Sequence, residues 1–299
     1  MSGDKEHRKK ILFVVNPFSG VGRHQSIEKH IKKALDHKLF DYTVKYTEAP
    51  HHATELTKNA IECKFDIVVA VGGDGTVNEV SKALVGTDVI LGIVPSGSGN
   101  GLARHLNISV FPEKAIQIIN QLNVKKIDTA LANEQFFVNL AGIGFDALVA
   151  KKFEGQKRRG FFKYFEIAVW EYLRYQPTNF TMIVDGKTIK REALFISFAN
   201  SDQFGYNTSI APQARIDDGF IDISIVKKIP LWKTLFTATL LYSKQINRSK
   251  YVEVLKAKKV EVIQEQKFIH LDGEPLKMSK NLVIKVNPSS LSVLVPEAD

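Results

Sequence analysis

Asp74 stands alone among glycines. The segment DIVVAVGGDGTVNEV, residues 66–80, runs from an apolar stretch into Gly72-Gly73-Asp74-Gly75-Thr76 and then into a helix-compatible sequence. Bare backbone at the end of a buried strand, followed by a helix, presents unpaired amide N–H groups and the positive end of a helix dipole. Such an arrangement binds phosphate. Glycine suits it because a Cβ would hold the anion away from the amides and restrict φ. The carboxylate is the odd component, since beside a phosphate it repels unless a cation intervenes. Thr76 can cap the helix or donate to a phosphate oxygen. The competing reading is a tight strand-to-helix turn with an Asp cap; phosphate binding is favoured over it. No GxxxxGK(S/T) occurs and no lysine follows the glycines, so this is not a P-loop.

Two further stretches carry the same chemistry: NPFSGVG (16–22) after a first strand and PSGSGNG (95–101) after a fourth. Each alone is a common turn. Three such loops following strands of one parallel sheet converge on one edge, where ligands of such sheets collect. The second half supplies more acids. In KFIHLDGEP (267–275), Asp272 and Glu274 flank a glycine at a strand end, a pattern that a plain β-turn also satisfies. PQARIDDGFIDI (212–223) is another acid-glycine cluster, either a turn or, through Asp218 and nearby carbonyls, a site for a hard cation.

These residues need elements to place them. At 299 residues the chain suggests two domains or one large one, and 44% hydrophobic with 24% charged residues is an ordinary globular composition. The formal charge of +9 favours anionic partners such as nucleotides or acidic lipid surfaces. A single cysteine, Cys63, excludes an internal disulfide framework and fits a reducing compartment. No apolar run reaches membrane-spanning length, so a cytoplasmic protein with at most peripheral membrane contact is expected.

Up to about residue 131, short apolar runs alternate with helical patterns. ILFVVN (11–16), YTVKYTE (42–48), DIVVAV (66–71) and VILGIVP (89–95) read as strands. Helices are expected near 24–38, 51–63, 76–84 and 113–122. That rhythm predicts a parallel sheet covered on both faces, a doubly wound α/β domain over 1–131. Beyond it, alternating strands dominate from FFVNLAG (136–142) to NLVIKV (281–286), with DGK (185–187) and DGE (272–274) as turn signals. A largely antiparallel β domain is expected over 132–287, with helical insertions near 145–175 and 230–245. The home of the last strand, within 288–299, is left open between the two domains.

Together GGDGTVNE (72–79), NPFSG (16–20), GSGNGLAR (97–104), NLAGIGFDA (139–147), PQARIDDGFIDI and LDGEP resemble the diacylglycerol kinase catalytic-domain family, which includes bacterial lipid kinases, sphingosine kinases and ceramide kinases. The matches run in order from about residue 10 to residue 295. The resemblance implies an ATP-dependent lipid kinase with an NAD kinase- and phosphofructokinase-like α/β domain, a β-sandwich domain and an active site in the cleft between them. Carried over, Asn16, Pro17, Phe18, Ser19, Gly20, Thr47, Gly72, Gly73, Asp74, Gly75, Thr76, Val77, Asn78, Ser98 and Asn100 would hold the nucleotide. Glu274 matches the proton acceptor of bacterial members, while Asp74 takes that role in sphingosine kinases. Glu274 is preferred as base, with Asp74 organising Mg²⁺ or its waters and Asp272 beside them. Asp218, with the carbonyls of Arg215 and Phe220, matches a second metal site.

One departure bears on the substrate. Bacterial members usually read GTxND where this chain reads GSGNG, so Gly101 replaces an acid and the form is closer to sphingosine kinases. Either Asp128, Asp272 and water compensate, or the site suits a different lipid. ATP and a membrane lipid are the expected partners, with contact to an anionic membrane and with oligomeric state open, a homodimer included. The candidate docking segment is residues 151–175, where Lys151, Lys152, Lys157, Arg158 and Arg159 precede Phe161, Phe162, Tyr164 and Trp170. Its rival reading is a helix packed on the β domain. Two alternatives compete with a lipid kinase: an NAD kinase-type small-molecule kinase, and a non-catalytic ATP- or lipid-binding regulator. No nucleic-acid-binding motif supports a fourth.

Overall fold

The computed structural model describes residues 8–19, 26–154, 161–205, 208–264 and 268–297. The chain divides into two compact units, Met1–Ile127 with Ser290–Asp299, and Asp128–Ser289. Gly20, Lys157, Arg158 and Arg159 lie outside the described residues.

The first unit alternates β1 (Lys9–Val15), α1 (Ile27–Ala34), β2 (Phe40–Tyr46), α2 (His52–Glu62), β3 (Ile67–Gly72), α3 (Asp74–Leu84), β4 (Ile90–Pro95), α4 (Gly101–His105) and α5 (Pro112–Gln121). The strands order as β2-β1-β3-β4, all parallel. The five residues Ile11–Val15 and the whole of β3 are buried, so both sheet faces are covered, as a run without polar alternation requires. Helix α1 packs against α5 and α2 against α3. Lys33 pairs with Glu113, and Asn120 ties the end of α1 through the Ala34 carbonyl and the Asp36 amide.

The second unit begins within β5 (Val124–Ala132) and continues through β6 (Gln135–Phe137), β7 (Leu140–Gly144), α6 (Phe145–Glu154), α7 (Phe161–Arg174), β8 (Thr178–Val184), β9 (Lys187–Ala193) and β10 (Phe195–Ala199). The short β11 (Gln203–Gly205) and β12 (Thr208–Ser209) follow, then β13 (Ile221–Val226), α8 (Leu231–Tyr242), β14 (Val252–Ala257), β15 (Lys259–Ile263), β16 (Phe268–Leu271), β17 (Glu274–Lys277) and β18 (Asn281–Leu294). One sheet runs β18-β15-β8-β9, these four antiparallel, with β5 beside β18 and β6 beside β5; the other runs β14-β13-β10-β7-β16-β17. Phe137, Phe180, Ile143, Phe198, Ile223, Ile269 and Ile284, drawn from both sheets, form one buried core, so the unit is a sandwich. Beyond Ser289, β18 belongs to the first unit: Val293 pairs in parallel with Leu91 of β4, and Ser290 accepts the Gly86 amide.

Both expected turns are two-residue hairpin loops. Asp185 and Gly186 have φ of 43° and 86°, and Asp272 and Gly273 have 49° and 88°. Two successive positive φ values match the right-handed twist of the flanking strands. The stretch expected as one strand, FFVNLAG, is split into β6 and β7. The amides of Val138, Asn139 and Leu140 turn away from the ladder to donate to the Asp272 carboxylate, at 3.0, 2.8 and 3.0 Å.

Candidate functional site

The loops after β1, β3 and β4 are joined side chain to side chain. Asn16 Nδ2 donates to Thr76 Oγ1 at 3.1 Å, linking the first loop to the second. The hydroxyls of Ser19 and Ser96 share a hydrogen bond of 2.7 Å, linking the first to the third. Asp74 links the second to the third: its Oδ2 accepts the Asn100 amide at 2.9 Å and its Oδ1 the Gly101 amide at 2.6 Å. Three segments that are turns when taken singly thus form one backbone-rich surface at the C-terminal ends of adjacent parallel strands, headed by the N-terminus of α3.

The glycines are required by the loops themselves. A Cβ on Gly97 would lie 2.6 Å from the Cα of Gly73, and one on Gly99 would lie 2.5 Å from Asp74 Oδ2. A Cβ on Gly72 would collide with the Thr76 side chain. Close loop-to-loop contact therefore adds to the requirement for bare backbone toward an anion. Asn100, at φ 52°, closes its own loop, accepting the Gly97 amide at 3.0 Å and donating to the Gly97 carbonyl at 2.8 Å.

Burial pushes the Asp74 carboxyl above its ordinary value, while the Gly101 and Asn100 amides and the nearby Arg104 pull it down. Arg104 is held in place by its Nε–H, which donates to the Gly99 carbonyl at 3.0 Å. A carboxylate costly to keep charged, beside a helix N-terminus and backbone amides, is one whose charge a cation would offset.

Other predicted nucleotide residues take varied places. Pro17 and Phe18 form the turn after β1, with Phe18 82% exposed and its amide donating to Asn16 Oδ1. Thr47 is buried just past β2, its amide bonded to the Val15 carbonyl beside Asn16. Gly75, Val77 and Asn78 lie in the first turns of α3, with Val77 buried. Ser98 is exposed at the tip of the third loop.

In the second unit, Glu274 opens β17, directly across from Leu271 in the hairpin, and is exposed. Asp272, in the turn between them, has both carboxylate oxygens committed to backbone amides, so it holds the turn. Asp128 is likewise engaged, accepting the Gly219 amide at 2.6 Å and the Ser289 amide at 2.7 Å.

At the second metal site expected from Asp218 with the carbonyls of Arg215 and Phe220, the Asp218 carboxylate is engaged by protein groups. Asp218 Oδ2 accepts the Lys256 ammonium at 2.7 Å, and Oδ1 accepts the Phe220 amide at 3.1 Å. Lys256 also lies 3.6 Å from Asp222, its partner across the β13–β14 ladder. Among the described residues, no group of three His, Cys, Asp or Glu side chains could hold a metal.

Several participants were invisible in the sequence. Ser96, Arg104 and Lys256 act only through loop contact or strand register. Glu79 accepts the His51 and Ala53 amides and so fixes the start of α2. The buried pair His270 and Asp146, 2.6 Å apart, sits over Gly142, whose Cβ would strike both. The glycine opposite His270 in the β7–β16 register was the one readable signal.

Residues 10–132 match the diacylglycerol kinase catalytic domain, and residues 139–295 match the YegS C-terminal NAD kinase beta sandwich-like domain. A diacylglycerol kinase of Bacillus subtilis (strain 168) is 28% identical over 276 residues, covering 89% of this chain and 90% of the relative. One from Mycobacterium tuberculosis (strain ATCC 25618 / H37Rv) is 27% identical over 298 residues, covering 96% and 95%. A crystal structure of a diacylglycerol kinase from Bacillus anthracis str. Sterne superposes with a TM-score of 0.72 at 22% identity, covering 96% of this chain and 97% of that one, and shows the shared fold. The glycine loops around Asp74 and the sandwich that carries Glu274 are thus those of a known lineage, and the chain belongs to the diacylglycerol kinase catalytic-domain family, with its YegS-type C-terminal domain.

Proposed function

We propose that the protein is an ATP-dependent lipid kinase that transfers the γ-phosphoryl group to a hydroxyl of a membrane lipid, diacylglycerol-like or sphingoid. The observation that carries this reading is the joining of three glycine loops around Asp74. Phosphoryl transfer asks the protein mainly for positioning and charge neutralisation. Loop amides and the α3 N-terminus suit the first need, with Asn16, Ser19, Thr47, Thr76 and Ser98 as hydroxyl or amide contacts.

Mg²⁺ suits the second need. The Asp74 carboxylate has acceptor capacity beyond the loop amides it already binds, and magnesium takes one or two carboxylates together with substrate phosphates. Asp74 would hold it, and the ion would supply charge neutralisation at the phosphates. In the reaction the lipid hydroxyl oxygen bonds to the γ-phosphorus, the bond to the β–γ bridging oxygen breaks, and ADP leaves. The hydroxyl proton passes to Glu274, which Asp272 positions by fixing the turn. A carboxylate base in such a step contributes about a hundredfold or more.

The relatives include diacylglycerol kinases and, from Serratia proteamaculans (strain 568), a probable lipid kinase YegS-like protein, 28% identical over 267 residues. They favour a lipid acceptor. Gly101, whose amide serves Asp74, keeps sphingoid lipids among the candidates. The test is γ-phosphate transfer from labelled ATP to diacylglycerol, sphingosine, ceramide, monoacylglycerol and phosphatidylglycerol in mixed micelles, with NAD as a soluble acceptor. Labelled lipid supports the reading. Labelled NAD alone replaces it with an NAD kinase, and Mg²⁺–ATP binding with no acceptor labelled replaces it with a regulator.

A further inference from the structure

Helix α8 is built inside out. Its one buried residue is Thr237, whereas Leu231, Trp232, Leu235 and Phe236 are 60, 78, 80 and 66% exposed. The helix is held at its C-terminal half, where Leu240 and Leu241 pack on the cluster of Ile210, Val226, Ile246 and Val252. In the N-terminal half, the pairs 231/235 and 232/236 at i,i+4 spacing form two adjacent apolar ridges that face solvent. Scattered apolar residues are normal on a surface, but a contiguous patch of four large ones marks an interaction site.

The polar groups of the helix are withdrawn. Thr234, Thr237 and Thr239 donate their hydroxyls to the carbonyls of Leu231, Lys233 and Phe236 at 2.6, 3.0 and 2.7 Å. Threonine that bonds back to its own helix has no remaining donor to lose on leaving water. Charge supplies the other half of the argument. Residues 223–252 contain six Lys or Arg and no Asp or Glu. The Lys233 ammonium lies 4.5 Å from the Trp232 ring centre and 5.7 Å from that of Tyr251, and Lys250 lies 5.6 Å from the latter.

Helix α7 continues the surface. Phe165, Val169 and Leu173 recur at i,i+4 and are 58, 44 and 52% exposed, with Trp170 at 58%. The Tyr172 hydroxyl pins the segment before α8, bonding both the amide and the carbonyl of Ile229. A cleft of about 380 Å³ lined by Tyr172, Leu173, Lys228, Ile229, Pro230 and Leu231 lies between the last turn of α7 and the start of α8. Among the described residues, no helix is long and apolar enough to cross a membrane.

We propose that α8, with the exposed ridge of α7 beside it, is a membrane-docking element that inserts Trp232 and Phe236 into an anionic lipid surface while the flanking lysines meet the headgroups. Exposed aromatics with internally satisfied hydroxyls suit the acyl boundary, and the run of six basic residues without an acid over 223–252, of which Lys244 pairs with Asp202, complements anionic headgroups. The proposal goes beyond the phosphotransfer reading and is tested without ATP.

The chain has two tryptophans, so Trp170→Phe leaves Trp232 as its sole indole. With vesicles of phosphatidylcholine containing phosphatidylglycerol, its emission shifts to the blue and lipids brominated along their chains quench it. The double variant Trp232→Asp/Phe236→Asp, folded by circular dichroism, cosediments with these vesicles about a hundredfold more weakly than the native chain. Its phosphotransfer to a dispersed short-chain acceptor is unchanged, so loss of docking is read separately from loss of catalysis. Absence of quenching, or native-like cosedimentation of the double variant, overturns the proposal. So does a concentration-dependent dimer that the double variant abolishes without any vesicle binding, which would mark the face as an interface between copies.

Discussion

Asp74 accepts the Gly101 amide at 2.6 Å, so the acid of one glycine loop anchors the backbone of the next. The bond sets the third loop, and a second bond to the Asn100 amide leaves that loop little freedom. Asp74→Asn keeps the size but replaces one acceptor oxygen with an NH₂ group facing an amide donor. A buried donor without a partner costs about 1–3 kcal/mol. Phosphotransfer in this variant falls by about a hundredfold or more, with weaker Mg²⁺–ATP binding by calorimetry, as charge stabilisation is lost together with loop order.

Gly99 tests loop packing apart from charge. Its added Cβ would meet Asp74 Oδ2 at 2.5 Å, so the loop or the carboxylate must shift although no charge is removed. Gly99→Ala therefore loses nucleotide affinity, and urea unfolding shows a cost of about 1–3 kcal/mol, the usual range for an overpacked site. Native-like affinity would mean that the third loop does not shape the nucleotide site.

Burial pushes the Asp222 carboxyl up to about 6, with Lys256 pulling it down and Asp218 pushing it further up. Among the described residues its oxygens have no hydrogen-bond partner, and the Lys256 ammonium lies 3.6 Å away. Since the folded value lies above the ordinary 3.8, ionisation of Asp222 costs stability. The cost is absent well below pH 3.8 and complete above about pH 6, reaching up to about 3 kcal/mol. Asp222→Asn is consequently more stable than the native chain at pH 8, and the advantage fades as pH falls through that window. Denaturant midpoints measured across the range decide it; a destabilised variant at pH 8 would mean that attraction to Lys256 outweighs desolvation.

His270 carries the opposite sign. Burial alone would lower its pKa, but Asp146 and Asp272 raise it above its ordinary 6.5. The pair's contribution is fully present below pH 6.5 and is lost as pH rises through the folded value. His270→Ala leaves Asp146 buried without its cation and costs about 3–5 kcal/mol near neutral pH. The gap between variant and native stability narrows in alkali.

Much of the fold was legible because its signals are local. The fully apolar runs of β1 and β3 declared a sheet covered on both faces, and Asp185-Gly186 and Asp272-Gly273 declared their turns. The candidate loops were legible as glycine-rich strand ends, but what joins them was not. The Ser19–Ser96 bridge spans 77 positions and exists only through sheet order. Lys256 is distant in sequence from Asp218 and meets it through the β13–β14 register, so their ion pair was not legible. Helix α8 was expected only as a helical insertion near 230–245; which side faces inward is shown by the burial of Thr237.

Glu274→Gln examined for ATP binding and lipid phosphorylation on the same preparation tests the central account most directly. The glycine loops do not include this residue, so Mg²⁺–ATP affinity by calorimetry stays within about twofold of native, while γ-phosphate transfer to the preferred lipid falls by about a hundredfold or more. Near-native turnover in that variant would contradict the account and move the proton acceptor to Asp74.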